Sequence, residues 1–194
     1  MRRQLIPLTG RMGRREMKSA AKLIIGATLL SLSACAMYHE PSASLPIGKT
    51  GDFSSTSSIA IVNGQPSTER VFFYGRRYGN FNAWTEVACA ITKRELAKHG
   101  LNVIDGSGKS LTLSIDTAKT GSKYMSMVET RVGLSAKTSD GYFTVYTGID
   151  RAYGIGNPAR EVDVALTRAI TQMLNDPKMI AFLTNNDHIS REHP

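Results

Sequence analysis

Cysteine is nearly missing from this chain: two residues in 194, Cys35 and Cys89. Two cysteines allow at most one internal bridge, so a disulfide framework is not what holds the fold together. Histidine is scarce too, at His39, His99, His188 and His193. None has the i, i+4 spacing or the cysteine neighbours of a metal centre, so no metal or other cofactor is expected. No apolar run approaches the ~20 residues that cross a bilayer as a helix; the main one, Leu23 to Leu30, belongs to a region of about 10. Catalytic signatures are equally sparse. There is no Gly-x-Ser-x-Gly elbow. Gly106-Ser107-Gly108-Lys109-Ser110 has the tail of a phosphate-binding loop, but Val103 stands where that loop needs glycine. A strand pattern follows it, where a helix N-terminus would be needed to meet phosphate. It reads as a tight hairpin connection. Gly154-Ile155-Gly156 lacks the third glycine of a dinucleotide site. Asp116 and Glu129 read as solvated strand acids. The chain is not expected to be an enzyme.

What is present begins with charge. The formal net charge is +8, from 24 Lys/Arg and 16 Asp/Glu. Residues 1–34 hold seven bases and one acid, leaving +2 for residues 35–194. The basic character is therefore concentrated ahead of Cys35, and the remainder lacks the footprint of a nucleic-acid binder.

That leader has an order of its own. Arg2, Arg3, Arg11, Arg14, Arg15, Lys18 and Lys22 come first, then the apolar run, then Leu32-Ser33-Ala34-Cys35. Met17 or Met12 would open a leader of more ordinary length. The stretch resembles the processing site of bacterial lipoproteins. The resemblance implies that residues 1–34 are a removed signal peptide and that Cys35 becomes the acylated first residue of the mature chain. Ala36 follows, not the aspartate that resembles an inner-membrane retention signal. The implied location is the outer membrane, with the protein on its periplasmic face. Cys89 is then left alone, as a small buried apolar residue in a helix.

Residues 35–57 carry Pro41, Pro46, Gly48, Gly51 and many serines without apolar periodicity. They read as a lipidated N-terminus and a flexible tether of about 25 Å reach. A single domain is expected over 58–186, then a polar tail over 187–194. Ile59-Ala60-Ile61-Val62 and Arg70 to Tyr74 read as strands. Trp84, Val87, Ala88 and Ile91 mark a helix from about Ala83 to His99, capped by Asn82 and ended by Gly100. Leu101 to Ile104, Leu111 to Ile115, Val128 to Ala136 and Tyr142 to Thr147 follow as strands, with Asp140-Gly141 as a hairpin turn. Asn157-Pro158 opens a second long helix whose stripe is Val162, Ala165, Leu166, Ala169, Ile170 and Met173. Asp176-Pro177 stops it and starts a short third helix. The expected fold is α+β: a two-layer sandwich with a mostly antiparallel sheet, and two long helices and a short C-terminal one on one face.

One segment stands out as a surface. Phe72-Phe73-Tyr74-Gly75-Arg76-Arg77-Tyr78-Gly79-Asn80-Phe81 interleaves aromatics with arginine, the residue types enriched at interface centres. Arg76, Arg77 and Tyr78 are the candidate partner-binding residues. The polar face of the second helix around Arg160, Asp163 and Arg168 is the fallback.

Leu96-Ala97-Lys98-His99-Gly100-Leu101, the strands from Leu111 to Tyr146, and Ala165 to Leu183 with Leu174-Asn175-Asp176 before Ala181-Phe182-Leu183 together resemble the YajG-like family of outer-membrane lipoproteins. The element order is similar in outline to LptE, the lipoprotein supporting lipopolysaccharide insertion. These resemblances imply a lipid-anchored envelope protein that binds rather than catalyses. Its partners would be the membrane, through Cys35, and an envelope protein. The alternatives are an accessory subunit of an outer-membrane transport or assembly machine, and an envelope hydrolase.

Overall fold

The computed structural model of the chain describes residues 37–124, 126–153 and 157–185. The leader with Cys35, the Gly154–Gly156 loop and the tail with His188 and His193 lie outside the described residues. The elements are β1 (Met37–Tyr38), β2 (Ser58–Asn63), β3 (Arg70–Tyr74), β4 (Arg77–Asn80), α1 (Phe81–Lys98), β5 (Asn102–Val103), β6 (Ser110–Tyr124), β7 (Met127–Thr138), β8 (Phe143–Tyr153), α2 (Pro158–Asn175) and α3 (Pro177–Thr184).

The class is α+β. Five strands form one sheet in the order β5-β2-β6-β7-β8, and three form a smaller one, β1-β4-β3. Both sheets are mixed: their long pairings are antiparallel, as the sequence predicts, and short parallel pairings join them. β6, β7 and β8 form an antiparallel meander, but β2 runs parallel to both of its neighbours. In the small sheet β4 is antiparallel to β3 and parallel to β1. The physical reason lies in β2. Ile59, Ala60 and Ile61 are all buried, so the strand is covered on both faces, as parallel strands are. The sequence signal for that was the unbroken Ile-Ala-Ile-Val run.

The hairpin expected at Gly106–Ser110 is corrected. β5 pairs with the start of β2 on one side, and β6 with its end on the other. The connection therefore carries the chain across β2, with Gly106 at a φ of +80°. Lys109 in that crossing is buried, and its Nζ donates to the carbonyls of Leu183 (3.1 Å) and Asn185 (2.7 Å). It caps the C-terminal end of α3, where carbonyls lack intrahelical partners.

Along β6 and β7 one residue in two faces the helices. Leu111, Leu113, Ile115, Val132, Leu134 and Ala136 are completely buried beneath them. α2 lays Val162, Ala165, Leu166, Ala169, Ile170 and Met173 on that face, all at 0% exposure. The larger side chains each contribute ~1.5–3 kcal/mol of burial. Asn157 Oδ1 accepts from the Ala159 amide at 3.2 Å, and Pro158 takes the first turn, as the sequence predicts. The cap of α1 is Asn80, not Asn82. Asn80 Oδ1 accepts from the amides of Asn82 (2.8 Å) and Ala83 (3.2 Å), because the helix starts earlier to bury Phe81 beside Trp84. Gly100 takes the left-handed conformation expected of it, at φ +85°.

The segment read as a tether packs against the helices. From β1 onward, residues 39–57 meet α1 on one side and α2 and α3 on the other. Arg94 on α1 donates to the carbonyls of Ala43 (2.6 Å) and Leu45 (2.7 Å). Gly48 N–H reaches Thr171 Oγ1, and Asn175 Nδ2 reaches Lys49 O. Phe53 is buried and stacks on His99 at 4.0 Å, while His99 Nδ1 contacts Phe53 O at 2.7 Å. His39, expected in free chain, is half-buried with Nε2 2.8 Å from Asp163 Oδ1. Such a strap is invisible to periodicity, because guanidinium-to-carbonyl bonds and isolated plugs hold it.

Candidate functional site

The β3–β4 hairpin turns at Gly75-Arg76, with Gly75 at φ +52°, a backbone that glycine adopts without strain. Side chains on the two strands then alternate. Phe73 and Gly79 point inward. Phe73 meets Trp84 edge-on at 5.3 Å. A Cβ on Gly79 would lie 2.4 Å from the Trp84 ring, so only glycine lets the indole lie against this sheet. Trp84 Nε1 donates to His39 O at 2.9 Å, which fixes the chain just after β1.

The opposite face is left to solvent. Register places Phe72 opposite Tyr78, and Tyr78 opposite Tyr38. Their rings form a row, with Phe72 to Tyr78 centroids 5.8 Å apart and Tyr78 to Tyr38 centroids 5.6 Å apart, both tilted. Arg70 lies over the Tyr78 ring at 5.0 Å, a cation–π contact. Phe72 keeps 62% of its surface exposed, and Tyr38, Tyr74 and Met37 are exposed as well. Tyr38 Oη donates to Glu40 at 3.3 Å; burial first, then Glu40, raise its pKa above the ordinary phenol value. Single exposed apolar residues need no explanation, but a contiguous aromatic row with a stacked arginine does.

Of the sequence-predicted residues, Tyr78 is half-buried at the centre of this row. Arg77 is half-buried beside it, and Arg76 is exposed at the tip. The structure adds Tyr38 and Arg70. Arg70 was legible, since Arg70, Phe72 and Tyr74 alternate with period two. Tyr38 was not, because β1 is only two residues long and joins from a distant stretch of chain. Cys35 lies outside the described residues. The fallback surface on α2 is partly engaged: Asp163 contacts His39, and Arg168 reaches Asp150 at 2.7 Å.

Two other polar clusters tie elements together. Asp176 Oδ2 accepts from Tyr142 Oη at 2.8 Å and Tyr146 Oη at 2.6 Å, and Oδ1 accepts from the Lys178 amide at 2.9 Å. Burial works to raise the Asp176 carboxyl. The bonds from both phenols and from the Lys178 and Met179 amides outweigh it and hold the group below the usual carboxylate range. Burial, followed by the bond to Asp176, pushes the Tyr146 phenol well above its ordinary value. Glu95, an acid on the apolar side of α1, is paired with Lys98 Nζ at 2.8 Å and Arg94 Nε at 2.9 Å. Burial raises its pKa, but these two cations prevail and lower it. Asp116 and Glu129 do not converge. Asp116 accepts from Ser114 and Ser135, whereas Glu129 is bonded by Arg131 and Arg151. Cys89 is buried, and desolvation, then nearby Glu86, push its thiol up to about 12. Among the described residues no group of three or more His, Cys, Asp or Glu is placed to hold a metal ion.

No family model matches this sequence, and no curated protein does. Solved structures resemble its fold at low identity. Protein XCC0632 from Xanthomonas campestris, of the family DUF330, is 14% identical; the match covers 76% of this chain and 95% of that one, with a TM-score of 0.47. A PelC dodecamer from Paraburkholderia phytofirmans is 11% identical, over 68% and 98% of the two chains, with a TM-score of 0.34. An uncharacterised protein is 10% identical, over 70% and 91%, with a TM-score of 0.35.

Proposed function

We propose that this chain is a lipid-anchored lipoprotein of the bacterial envelope, held at the outer membrane with its domain facing the periplasm, and that it works by binding. The anchor reading comes from the basic leader, the short apolar run and Leu32-Ser33-Ala34-Cys35. The observation that carries the binding reading is the exposed row Tyr38–Tyr78–Phe72 with Arg70 stacked on it. A rigid sheet presents these side chains, so little conformational entropy is lost when something covers them.

The experiment is Cys35→Ser in the full-length precursor, followed by fractionation of the envelope. Cys35 is the acceptor thiol in this reading, so the variant should retain its leader and lose the acylated form. A variant processed and localised like the wild type would refute the anchor.

A further inference from the structure

We infer that the outer face and tip of the β3–β4 hairpin rest in the headgroup layer of the phospholipid bilayer that holds Cys35, so that the aromatic row is a membrane-docking surface. The inference rests on the reading that Cys35 is acylated and names what its binding face touches.

Chain geometry carries it first. β1 runs parallel to β4 and begins opposite Arg77. Met37 N–H donates to Arg76 O at 3.1 Å, and His39 N–H to Tyr78 O at 2.9 Å. The chain therefore joins the fold at the hairpin tip. Only Ala36 separates Cys35 from Met37. Two residues span at most about 7 Å, whereas a free 22-residue spacer would have reached roughly 25 Å. The headgroup region on each side of a bilayer is roughly 5–8 Å deep. An acyl chain on Cys35 thus leaves the tip no distance in which to stand clear of the headgroups.

The chemistry at that end matches the location. Tyrosine and phenylalanine rings beside arginine are the residues that settle at a membrane–water interface, with the ring among the glycerol groups and the cation on phosphate. Arg70, Arg76 and Arg77 outnumber Glu40 and Glu69 in these stretches of chain, a small positive excess. Rings, not net charge, supply most of the contact, so docking on anionic lipid should be only modestly salt-sensitive. Phe143, exposed on the outer face of β8, has no such link to the anchor.

The test uses the acylated full chain reconstituted into vesicles of phosphatidylethanolamine and phosphatidylglycerol, with and without acyl chains brominated near the headgroup. Phe72→Trp is the reporter, Tyr74→Trp the second, and Phe143→Trp the control. The native Trp84 is buried and supplies a constant background. Emission from Phe72→Trp and Tyr74→Trp should shift to the blue and be quenched by bromine, and emission from Phe143→Trp should not. Intact mass of the same samples reports acylation. Acylated protein whose two hairpin reporters are unquenched overturns the docking, leaves the lipoprotein reading standing, and gives the row to a protein partner. Equal quenching of all three reporters also overturns it, because no face is then preferred. An unmodified Cys35 removes the anchor and the docking together.

Discussion

Gly148 on β8 lies directly under α2, and replacing it with alanine should be severe. A Cβ there would stand 1.8 Å from the Ala165 carbonyl oxygen and 2.7 Å from the Ala169 nitrogen. Both are backbone atoms of a helix that cannot rotate out of the way. Ordinary contact would require helix and strand to part by roughly 1.5–2 Å. Moving α2 that far loosens Val162, Leu166, Ile170 and Met173, all fully buried. A gap of 0.5–1 Å already forfeits about a quarter to a half of a dispersion contact. Overpacking alone costs ~1–3 kcal/mol, and the loosened stripe places Gly148→Ala at or above the top of that range, about 3 kcal/mol. For a domain of this size that lowers Tm by roughly 6–12 °C. Gly121→Ala is the control, because nothing lies within 4 Å of a Cβ at that position; it should stay within ~0.5 kcal/mol of wild type. Thermal unfolding followed by far-ultraviolet circular dichroism reads both. A Gly148→Ala protein that melts with the wild type would show that α2 does not approach β8 so closely.

Three further outcomes follow from the same contacts. Asp176 is held below its unfolded value of ~3.9, so its contribution is present above that pH and is lost as pH falls through the folded pKa. Asp176→Asn should therefore cost about 1–2 kcal/mol at pH 7 and progressively less toward pH 3, read as urea midpoints; a gap that does not change with pH would contradict this. Cys89, with its thiol pushed up to about 12, should react with thiol reagents only on unfolding, and Cys89→Ala should cost ~1 kcal/mol; rapid labelling of folded protein would refute the buried assignment. Combined replacement of Arg76, Arg77 and Tyr78 by alanine should lower stability by only about 1–2 kcal/mol, from lost ring contacts, and should weaken membrane or partner engagement by far more; a collapsed Tm would make Tyr78 a core residue.

The parts of the fold legible in the sequence were those encoded locally. Asn157-Pro158 and the stripe behind it define α2 without help from the rest of the chain, and Asp140-Gly141 marks its turn, with Gly141 at φ +95°. Strand direction was not legible along β6, since alternation is the same for either neighbour. In β2 the continuous apolar run carried the information, because burial on both faces is a parallel-strand habit. The strap was missed for another reason. Leu45, Ile47 and Phe53 plug separate places, and Arg94 secures backbone carbonyls, so no period exists to detect. At the candidate site the sequence showed the aromatic–arginine composition and the strand Arg70 to Tyr74, but not the return strand β4. The third strand that completes its aromatic row comes from residues that look like linker, and only tertiary pairing brings Tyr38 beside Tyr78.

Intact mass of the protein extracted from envelope membranes tests the anchored-binder reading most directly. The predicted result is a chain that begins at Cys35 and carries a diacylglyceryl group on sulfur and an acyl group on the new N-terminus. A chain with an unmodified Cys35, or one that retains residues 1–34, would contradict it.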